Sequence, residues 1–400
     1  MKKVGLLLAA ALVALVPLVN HAETLRVSKQ ATGTGWLERN DGQLILHLSG
    51  SWRDMGRQQG ELLKEEVATT MRTLQATMTN FLPRVPPRTL YHLSYALVHL
   101  PSRPFIPEEI MEEMRGLAEA SGQNPRDLLT LHSLIFINSC SGTAVFGRAT
   151  RDGNLYQTRS LDYSLDMIDP KTGKSLQESS LITVYHPDRG IAFVTFGWPG
   201  LIGSLGGQNA LGVCVSEMTD ASWAEKPGGL DMIWRIKQTL YKAHNLIEAV
   251  TLMTAPPFDG GYNFLVGSGR EKTAAAVEMN GYAAYWGGWD GPAESSTYTH
   301  RGKTWSYTPL PDVLIRTNHP LSKKMIPLYN GIIDKGGMAR ASGPRYFDLR
   351  ARALAGYGRW DLESLFLAQR AHYQSHEKDN GHCQATIYQA AFDPLRGDFF

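Results

Sequence analysis

The chain has 400 residues, 43% of them apolar, and a formal net charge of +2. A chain of this length can bury a sizeable core. The near balance of charge, with no basic stripe, argues against nucleic acid as a partner. Spacings typical of zinc ligands and of phosphate-binding loops are absent from the sequence, so we expect neither a metal nor a cofactor.

Residues 1–22 predict a secretory signal peptide. Lys2 and Lys3 precede an apolar run over 4–19, and the segment ends in small and polar residues. The run contains Pro17 and is short for a spanning helix, so an uncleaved anchor is the less favoured interpretation. We therefore expect a periplasmic or secreted protein that meets a membrane only through this segment during export. Loss of the segment takes the formal charge from +2 to 0.

Residues 23–139 carry helical patterns. Apolar side chains recur at steps of three and four from Trp52 to Phe81, which predicts one long amphipathic helix. Pro107 predicts the start of a second helix, because proline suits the first helical turn. Asn124 predicts the cap of a third. We expect a helical N-terminal segment.

Short β-rich runs follow this segment. The turn at 150–154 predicts a β-hairpin whose second strand carries Arg159 and Asp162. Further strands are predicted at 181–185, 191–196, 211–216, 262–266 and 274–279, and further helices at 230–243, 246–253, 345–355 and 362–370. Residues 140–400 therefore predict mixed α/β structure.

Cys140 is the candidate nucleophile, because it stands where the helical part meets the strand-rich part. A thiol needs a base or a positive neighbour to supply thiolate near neutral pH, and the hairpin brings Arg159 and Asp162 towards it. Cleavage of the bond between Ser139 and Cys140 would give Cys140 a free α-amino group. Its ordinary pKa of about 7.7–8.0 suits a base for the thiol.

A cysteine that opens a strand, followed one hairpin later by Arg159-Ser160-Leu161-Asp162, resembles the N-terminal-nucleophile (Ntn) hydrolases. The resemblance is closest to the acyl-coenzyme A:isopenicillin-N acyltransferase-like peptidase family, with choloylglycine hydrolases more distant, and runs from about Gly50 to the C-terminus. It implies an α+β fold, a four-layer αββα sandwich, preceded here by the helical segment. It also implies self-cleavage into a small chain, 23–139, and a large chain, 140–400, that stay associated as one domain.

The resemblance also implies roles for further residues. Arg159 would hold the sulfur, Asp162 would orient the new α-amino group, Asn209 and Asn263 would donate to the oxyanion, and Arg345 would be a second active-site arginine. Amide donors suit an acyl-transfer site, because attack on a carbonyl creates an oxyanion that N–H groups stabilise. Trp198, Trp289 and His319 are candidates for the wall of the substrate site.

Structural interpretations stay open for these residues. Arg159 and Asp162 can form a simple ion pair. The two asparagines lie near glycines, where asparagine also serves turns, and Arg345 can lie on the exposed face of a helix. For His319 a structural role is as natural as one at the substrate wall.

Three cysteines in an exported protein leave at least one outside an intramolecular disulfide. The catalytic thiol would be that one, which leaves Cys214 and Cys383 able to pair if they lie close enough. Packing in an apolar strand is the simpler interpretation of Cys214.

Together these features predict an exported, self-processing cysteine hydrolase that cleaves a linear amide bond in a small-molecule N-acyl substrate through an acyl-enzyme. Acyltransferase activity is a further expectation, but hydrolysis is favoured because acyl-coenzyme A is not expected outside the cytoplasm. Two alternatives remain. One is a phospholipase B-like lipid acyl-ester hydrolase, and the other is a noncatalytic secreted binding protein of the same fold.

Overall fold

The computed structural model describes residues 35–81, 84–132, 139–164, 167–300, 302–330, 341–374 and 384–400. The predicted signal peptide and Cys383 lie outside the described residues. The helices are α1 (Trp52–Leu62), α2 (Lys64–Phe81), α3 (Pro87–Ser94), α4 (Leu100–Ser102), α5 (Glu108–Ser121), α6 (Pro125–His132), α7 (Met232–Lys242), α8 (Leu246–Met253), α9 (Ser342–Ala355) and α10 (Leu362–Gln374). The strands are β1 (Trp36–Asn40), β2 (Gln43–Gly50), β3 (Ser139–Gly147), β4 (Gly153–Ser164), β5 (Leu181–Pro187), β6 (Phe193–Gly197), β7 (Gly206–Asn209), β8 (Val213–Thr219), β9 (Tyr262–Ser268), β10 (Thr273–Met279), β11 (Ala284–Gly287), β12 (Thr297–His300), β13 (Lys303–Ser306), β14 (Val313–Arg316), β15 (Gln384–Asp393) and β16 (Asp398–Phe399).

Two stacked sheets form the centre of the fold. The larger sheet has the strand order β1-β2-β5-β6-β7-β8-β9-β10-β11, and the smaller has the order β14-β3-β4-β15-β16. Strands β3 and β4 of the smaller sheet contact β8 and β9 of the larger. Side chains from both facing surfaces therefore share one buried layer.

Helices cover both outer surfaces of this pair of sheets. Helices α7 and α8 contact β7, β8, β9 and β10 of the larger sheet, while α9 and α10 contact β3, β4, β14 and β15 of the smaller sheet. The predicted α+β class and αββα layer order are thus confirmed. None of the helices in the described parts of the chain is both long and apolar enough to cross a bilayer.

The predicted strands and helices after Cys140 are found in the structure, with ends shifted by a few residues. The hairpin of β3 and β4 is confirmed, with Cys140 opposite Leu161. Helix α8 begins and ends at the predicted residues, 246 and 253. Strands β7 and β11 to β16 were not predicted, because most are short or lack an alternating apolar pattern.

The N-terminal segment, predicted as mostly helical, also contains two strands. Strands β1 and β2 precede the first helix, and β2 pairs in parallel with β5 of the larger sheet. The signal for this hairpin is Asp41-Gly42, whose positive φ angles of 47° and 82° suit a tight two-residue turn. The predicted long helix is also divided into α1 and α2 at Leu63, whose φ and ψ are −125° and 30°.

A buried ion pair joins the N-terminal segment to the sandwich. Glu113 on α5 and Lys237 on α7 are both fully buried and in direct contact. The Lys237 Nζ also donates to the carbonyl oxygen of Ile202 at 2.6 Å and lies 4.2 Å from the centre of the Tyr185 ring. Burial lowers the pKa of Lys237 and raises that of Glu113, and the charge of each partner opposes the shift.

Replacement of Lys237 alone by Met should lower the free energy of unfolding by about 3–5 kcal/mol, because it leaves Glu113 as a buried carboxyl without its counter-charge. The Lys237→Met/Glu113→Leu double variant should recover most of this loss, since it removes both charges. Urea unfolding of the three proteins measures the difference. Equal losses in the single and double variants would contradict the assigned role of the pair.

Candidate active site

Three side chains from distant parts of the chain hold Cys140 near the start of β3, where it is fully buried. Its backbone nitrogen donates to Asn318 Oδ1 at 2.8 Å. Its sulfur accepts from Arg159 Nη2 at 3.7 Å. Its carbonyl oxygen accepts from Arg345 Nη1 at 2.5 Å. The nitrogen, sulfur and carbonyl oxygen of one residue are thereby each placed by a separate side chain.

The strand register explains why Arg159 reaches the sulfur. Arg159 is opposite Gly142, two residues after Cys140 on the same strand. Opposite residues of an antiparallel pair, and alternate residues of one strand, lie on the same face of a sheet. Cys140 and Arg159 therefore both point towards the larger sheet. A Cβ atom at Gly206 on that sheet would lie 3.1 Å from Arg159 Cδ, so the glycine makes room for the arginine.

The Arg159 guanidinium is enclosed by acceptors. Nε donates to the carbonyl oxygen of Glu217 at 3.1 Å, and Nη2 donates to its carboxylate at 2.9 Å. Nη1 donates to the Tyr388 hydroxyl at 2.6 Å. Burial opposes the charge of Arg159, but Tyr388, Cys140 and Glu217 raise its pKa above the ordinary value. Arg159 is thus a fixed cation beside the sulfur.

Glu217 belongs to this cluster although the sequence analysis did not select it. It is fully buried on β8, and its Oε1 accepts from Thr219 Oγ1 at 2.8 Å. Burial raises its pKa, while the charge of Arg159 opposes that shift. A glutamate inside an apolar strand is the sequence signal that would have found it, since such a residue is almost never fully buried without a partner.

Asn318 is the second residue that the sequence analysis missed. Its Oδ1 accepts from Arg345 Nη2 at 2.7 Å as well as from the Cys140 nitrogen, and its Nδ2 donates to the carbonyl oxygen of Thr219 at 2.6 Å. The sequence signal for Asn318 is the polar run Thr317-Asn318-His319-Pro320, directly after β14. Asn318 holds the nitrogen that would become the α-amino group.

Asn263 supports Asn318 and does not serve as the predicted oxyanion donor in this arrangement. Its Nδ2 donates to the carbonyl oxygens of Thr317 and His319, each at 2.9 Å. Both amide hydrogens are engaged by these two bonds. Asn263 therefore fixes the backbone on either side of Asn318 and acts as a positioning residue.

The Asn209 side chain makes its hydrogen bonds with residues other than Cys140. Its Nδ2 donates to the carbonyl oxygens of Leu240 and Ala243 at 2.9 and 2.8 Å, and its Oδ1 accepts from the backbone nitrogens of Leu211 and Val213. Because both ends of the amide are occupied, the prediction of an oxyanion donor fails here. The structural alternative holds, since Asn209 ties the turn between β7 and β8 to the end of α7.

Asp162 lies beside the bond between Ser139 and Cys140. It is opposite Ser139 in the pairing of β3 with β4 and is almost fully buried. Its Oδ1 accepts from Ser160 Oγ at 3.3 Å and from Thr386 Oγ1 at 3.0 Å. The structure thus brings Asp162, Arg159 and Arg345 together around Cys140. The sequence analysis predicted that these three residues lie near the cysteine.

The surroundings of Cys140 determine the protonation state of its thiol. Burial raises the pKa of the thiol above its usual range, Glu217 and Asp162 add to the effect, and Arg159 and Arg345 oppose it. In the uncut chain the thiol is therefore protonated near neutral pH. Burial also raises the pKa of Cys214, whose sulfur contacts the uncharged Gln157 at 3.5 Å.

His319 lies in a hydrogen-bonded network and not at an open wall. Its Nε2 is 2.7 Å from the Tyr307 hydroxyl, and its Nδ1 is 2.6 Å from Ser342 Oγ. Burial lowers the pKa of His319 well below the usual value, so the ring is neutral. The structural interpretation of His319 is the one that these contacts favour.

The two tryptophans selected for the substrate wall lie apart from each other. Trp198 is buried beneath α2 and α6, where it lines a small cavity with Met71 and Leu131. Trp289 lies under the guanidinium of Arg148 at 5.3 Å, at the far end of β3. About 25 Å of strand separates Arg148 from Cys140, so Trp289 is badly placed to meet a substrate there.

A groove between the sheets opens onto Tyr388, the residue that binds Arg159. Its volume is about 290 Å³, and it is partly open to solvent. Its apolar lining residues are Ile45, Leu181, Ile182, Phe196, Phe399 and Phe400. Because one wall of the groove contacts the guanidinium beside the sulfur, an apolar group bound there would lie next to the Cys140 cluster.

Two further carboxyl groups, those of Asp231 and Asp259, interact with each other, and Asp231 also interacts with Glu217. Asp231 caps α7, where its Oδ1 accepts from the Ile233 nitrogen at 3.2 Å. Burial raises the pKa of Asp231 to about 7, and the charge of Glu217 adds to the shift. Burial also raises the pKa of Asp259, with the charge of Asp231 as a further cause. Both groups favour the protonated form in the folded chain.

The stability of the folded chain should therefore fall as pH rises. The folded-state pKa of Asp231 lies above the ordinary value of about 3.9, so its contribution is fully present below that value and is lost as pH rises through about 7. We expect the free energy of unfolding in urea to decrease between about pH 4 and about pH 7, by at most ~1.4 kcal/mol per pH unit for one group. Asp231→Asn keeps an oxygen to cap α7 and should flatten this dependence. An unchanged slope in that variant would exclude Asp231 as its source.

The sequence is similar to those of known proteins over part of its length. No protein-family model matches this chain. Protein dcd1B of Dictyostelium discoideum is 25% identical over 66% of this chain and 56% of the relative. Protein dcd1A of the same organism is 24% identical over 59% and 58%, and an uncharacterized protein of Archaeoglobus fulgidus is 24% identical over 60% and 44%. The chain therefore spans about half the length of the curated relatives it matches.

Solved structures similar to this chain include an amidase, an acylase and a hydrolase. The Caenorhabditis elegans ortholog of N-acylethanolamine-hydrolyzing acid amidase is 15% identical, with 64% of this chain and 93% of that chain covered and a TM-score of 0.43. Penicillin V acylase from Agrobacterium tumefaciens is 16% identical, with 65% and 82% covered and a TM-score of 0.41. A mutant of conjugated bile acid hydrolase from Clostridium perfringens is 11% identical, with 65% and 88% covered and a TM-score of 0.37.

Proposed function

We propose that this chain is the exported precursor of a self-processing cysteine hydrolase of the Ntn type that cleaves a linear amide bond in an N-acyl small molecule. The observation that carries the proposal is the placement of Cys140, whose nitrogen, sulfur and carbonyl oxygen contact Asn318, Arg159 and Arg345 respectively. A packing cysteine needs no such set of charged and amide partners. Cys214, in its uncharged surroundings, is the contrast within the same chain.

Self-cleavage begins when the Cys140 sulfur attacks the carbonyl carbon of Ser139. A carbon–sulfur bond forms, the bond from that carbon to the Cys140 nitrogen breaks, and the thiol proton ends on the nitrogen. Asp162, opposite Ser139 on the neighbouring strand, would orient the new α-amino group. Water then hydrolyses the thioester, which leaves a carboxylate on Ser139 and both a thiol and an α-amino group on Cys140.

The same residue then acts on the substrate. The α-amino group, held by Asn318 Oδ1, takes the thiol proton, and the sulfur attacks the amide carbonyl of the substrate. Arg159 Nη2 stabilises the negative charge that develops, and Glu217 keeps Arg159 in place. The amine product leaves with the proton, and water releases the acid from the acyl-enzyme. An amine in place of water at this step would give acyl transfer.

The acyl part of the substrate is assigned to the groove that opens onto Tyr388. Its aromatic and branched apolar side chains suit an acyl chain or ring. Glu113 and Lys237 lie on opposite sides of the cut, so their contact would help the small and large chains to stay associated after cleavage.

The proposal is tested with purified exported protein and N-acyl derivatives of aminomethylcoumarin. We expect the wild-type protein to release the fluorescent amine and the Cys140→Ala variant to release none. Release of fatty acid from phosphatidylcholine without amide cleavage would favour the phospholipase B-like alternative. A chain that stays uncut and acts on neither substrate would favour the noncatalytic binding protein.

A further inference from the structure

The segment between α2 and α5 exposes a row of large apolar side chains to solvent. This segment comprises α3, a π-helical turn over Tyr95–His99, α4 and a 3₁₀ turn over Arg103–Phe105. Its outward leucines and phenylalanine are unusually exposed: Leu93 by 47%, Leu97 by 60%, Leu100 by 48% and Phe105 by 42%. Successive exposed positions three to five residues apart on a helical backbone make one stripe.

Two polar side chains of the same segment point inward. His99 and Ser102 are buried, with 2% and 6% exposed. Burial lowers the pKa of His99 to about 4, with the charge of Arg103 as a further cause, so the ring is neutral at physiological pH. A surface helix of a soluble protein usually has the opposite orientation, with its apolar stripe facing the core. Packing among the residues that the structure describes therefore does not explain the exposed stripe.

The apolar surface continues onto neighbouring loops. A Cβ atom at Gly228 would lie 3.4 Å from Pro101, which places α4 beside the loop that follows β8. On that loop Trp223 is 77% exposed, and its nitrogen donates to the carbonyl oxygen of Leu328 at 2.7 Å. We call the exposed residues of the segment and the loops the apolar rim. Its members are Leu93, Leu97, Leu100, Phe105, Trp223, Tyr282 and Leu328.

Basic side chains accompany the apolar rim. The sequence from 83 to 107 contains three arginines and no acidic residue. Lys226 lies 5.5 Å from the centre of the Tyr282 ring, and Lys323 and Lys324 are exposed a few residues before Leu328. The same loop carries the exposed Glu225 and two buried acidic residues, Asp220 and Asp231. The positive excess argues against a second copy of the chain as the occupant, because two such surfaces would repel each other.

We propose that the apolar rim docks the protein on an anionic lipid bilayer. Exposed leucines would enter the boundary between headgroups and acyl chains, aromatic residues would lie at headgroup level, and the basic residues would attract anionic lipids. This extends the expected membrane contact beyond the signal segment. Thr219, which binds Asn318, lies four residues before Trp223, so the docked surface would adjoin the Cys140 cluster.

The test is cosedimentation of the purified protein with vesicles of phosphatidylcholine and phosphatidylglycerol. We expect the wild-type protein to bind. The Leu97→Gln/Leu100→Gln variant should bind about tenfold more weakly or worse, because it lacks two partly exposed leucine side chains that would move from water into lipid. The matched control is Leu354→Gln/Leu367→Gln on α9 and α10, whose leucines are 53% and 51% exposed. It should bind like the wild type. Vesicles of phosphatidylcholine alone, or high salt, should reduce binding.

Three results would overturn this inference. The first is a wild-type protein that does not sediment with the anionic vesicles. The second is equal binding by the apolar-rim variant and the control variant, with circular dichroism showing both folded. The third is an apolar-rim variant that turns a lipid-free dimer into a monomer, which would make the surface a contact between copies. Activity is not a readout, so failure of the proposed hydrolysis would leave this test intact.

Discussion

The Cys140→Ala chain is expected to remain uncut, whereas the wild-type protein should give a fragment that begins at Cys140. Alanine has no sulfur to attack the carbonyl carbon of Ser139, so neither the thioester nor the new α-amino group can form. Amide hydrolysis should fall by roughly four orders of magnitude or more, as expected on removal of a catalytic nucleophile. Intact mass and N-terminal sequencing measure the cut, and amine release measures the activity.

The control for this experiment is Cys214→Ala. Cys214 is equally buried and is also on a strand of the sandwich, but its sulfur contacts an uncharged glutamine. We expect this variant to be cut and to hydrolyse amides at the wild-type rate. A Cys140→Ala chain that is cut at the same bond would show that another protease makes the cut.

The Asn318→Ala variant should be cut about a hundredfold more slowly or worse. Asn318 holds the nitrogen of the bond to be broken and also orients Arg345, so its loss misplaces the reacting groups. The buried Cys140 nitrogen and Arg345 guanidinium would both lose an acceptor. We therefore also expect a loss of about 2–3 kcal/mol in the free energy of unfolding. A time course of cleavage after refolding, beside urea unfolding, separates the two effects.

Asn209→Ala is the matched control. Asn209 is also a buried asparagine with four hydrogen bonds, but these join the turn between β7 and β8 to the end of α7. We expect a comparable loss of stability and a normal rate of cleavage. Equal slowing in both variants would mean that the rate follows stability alone. A normal rate in Asn318→Ala would remove Asn318 from the proposed mechanism.

The charges around Cys140 affect the protonation state of its thiol in the uncut chain. The buried thiol is protonated in the uncut chain, because burial outweighs the favourable charges of Arg159 and Arg345. The proposed cut supplies a base on the same residue. The charge that keeps Arg159 beside the sulfur comes from Glu217, on the opposite sheet. The site is therefore built across the interface of the two sheets.

Local patterns in the sequence were sufficient for much of the fold. The turn at 150–154 predicted the hairpin that brings Arg159 near Cys140, and the register of β3 with β4 confirms it. Helix α8 was predicted to the residue. Such elements depend on contacts between residues close in the chain, so spacing and turn chemistry decide them. The hairpin of β1 and β2 had the same kind of signal in Asp41-Gly42, although it was overlooked.

Only the tertiary structure decided which polar residues meet Cys140. Asn209, Asn263 and Asn318 all stand in polar or glycine-rich surroundings, and nothing local distinguishes them. Asn318 is 178 residues from Cys140, and it reaches the cysteine because β14 pairs with β3. Glu217 meets Arg159 because the two sheets stack. Sequence periodicity determines which residues share a face of an element, but strand pairing and sheet stacking determine which faces meet.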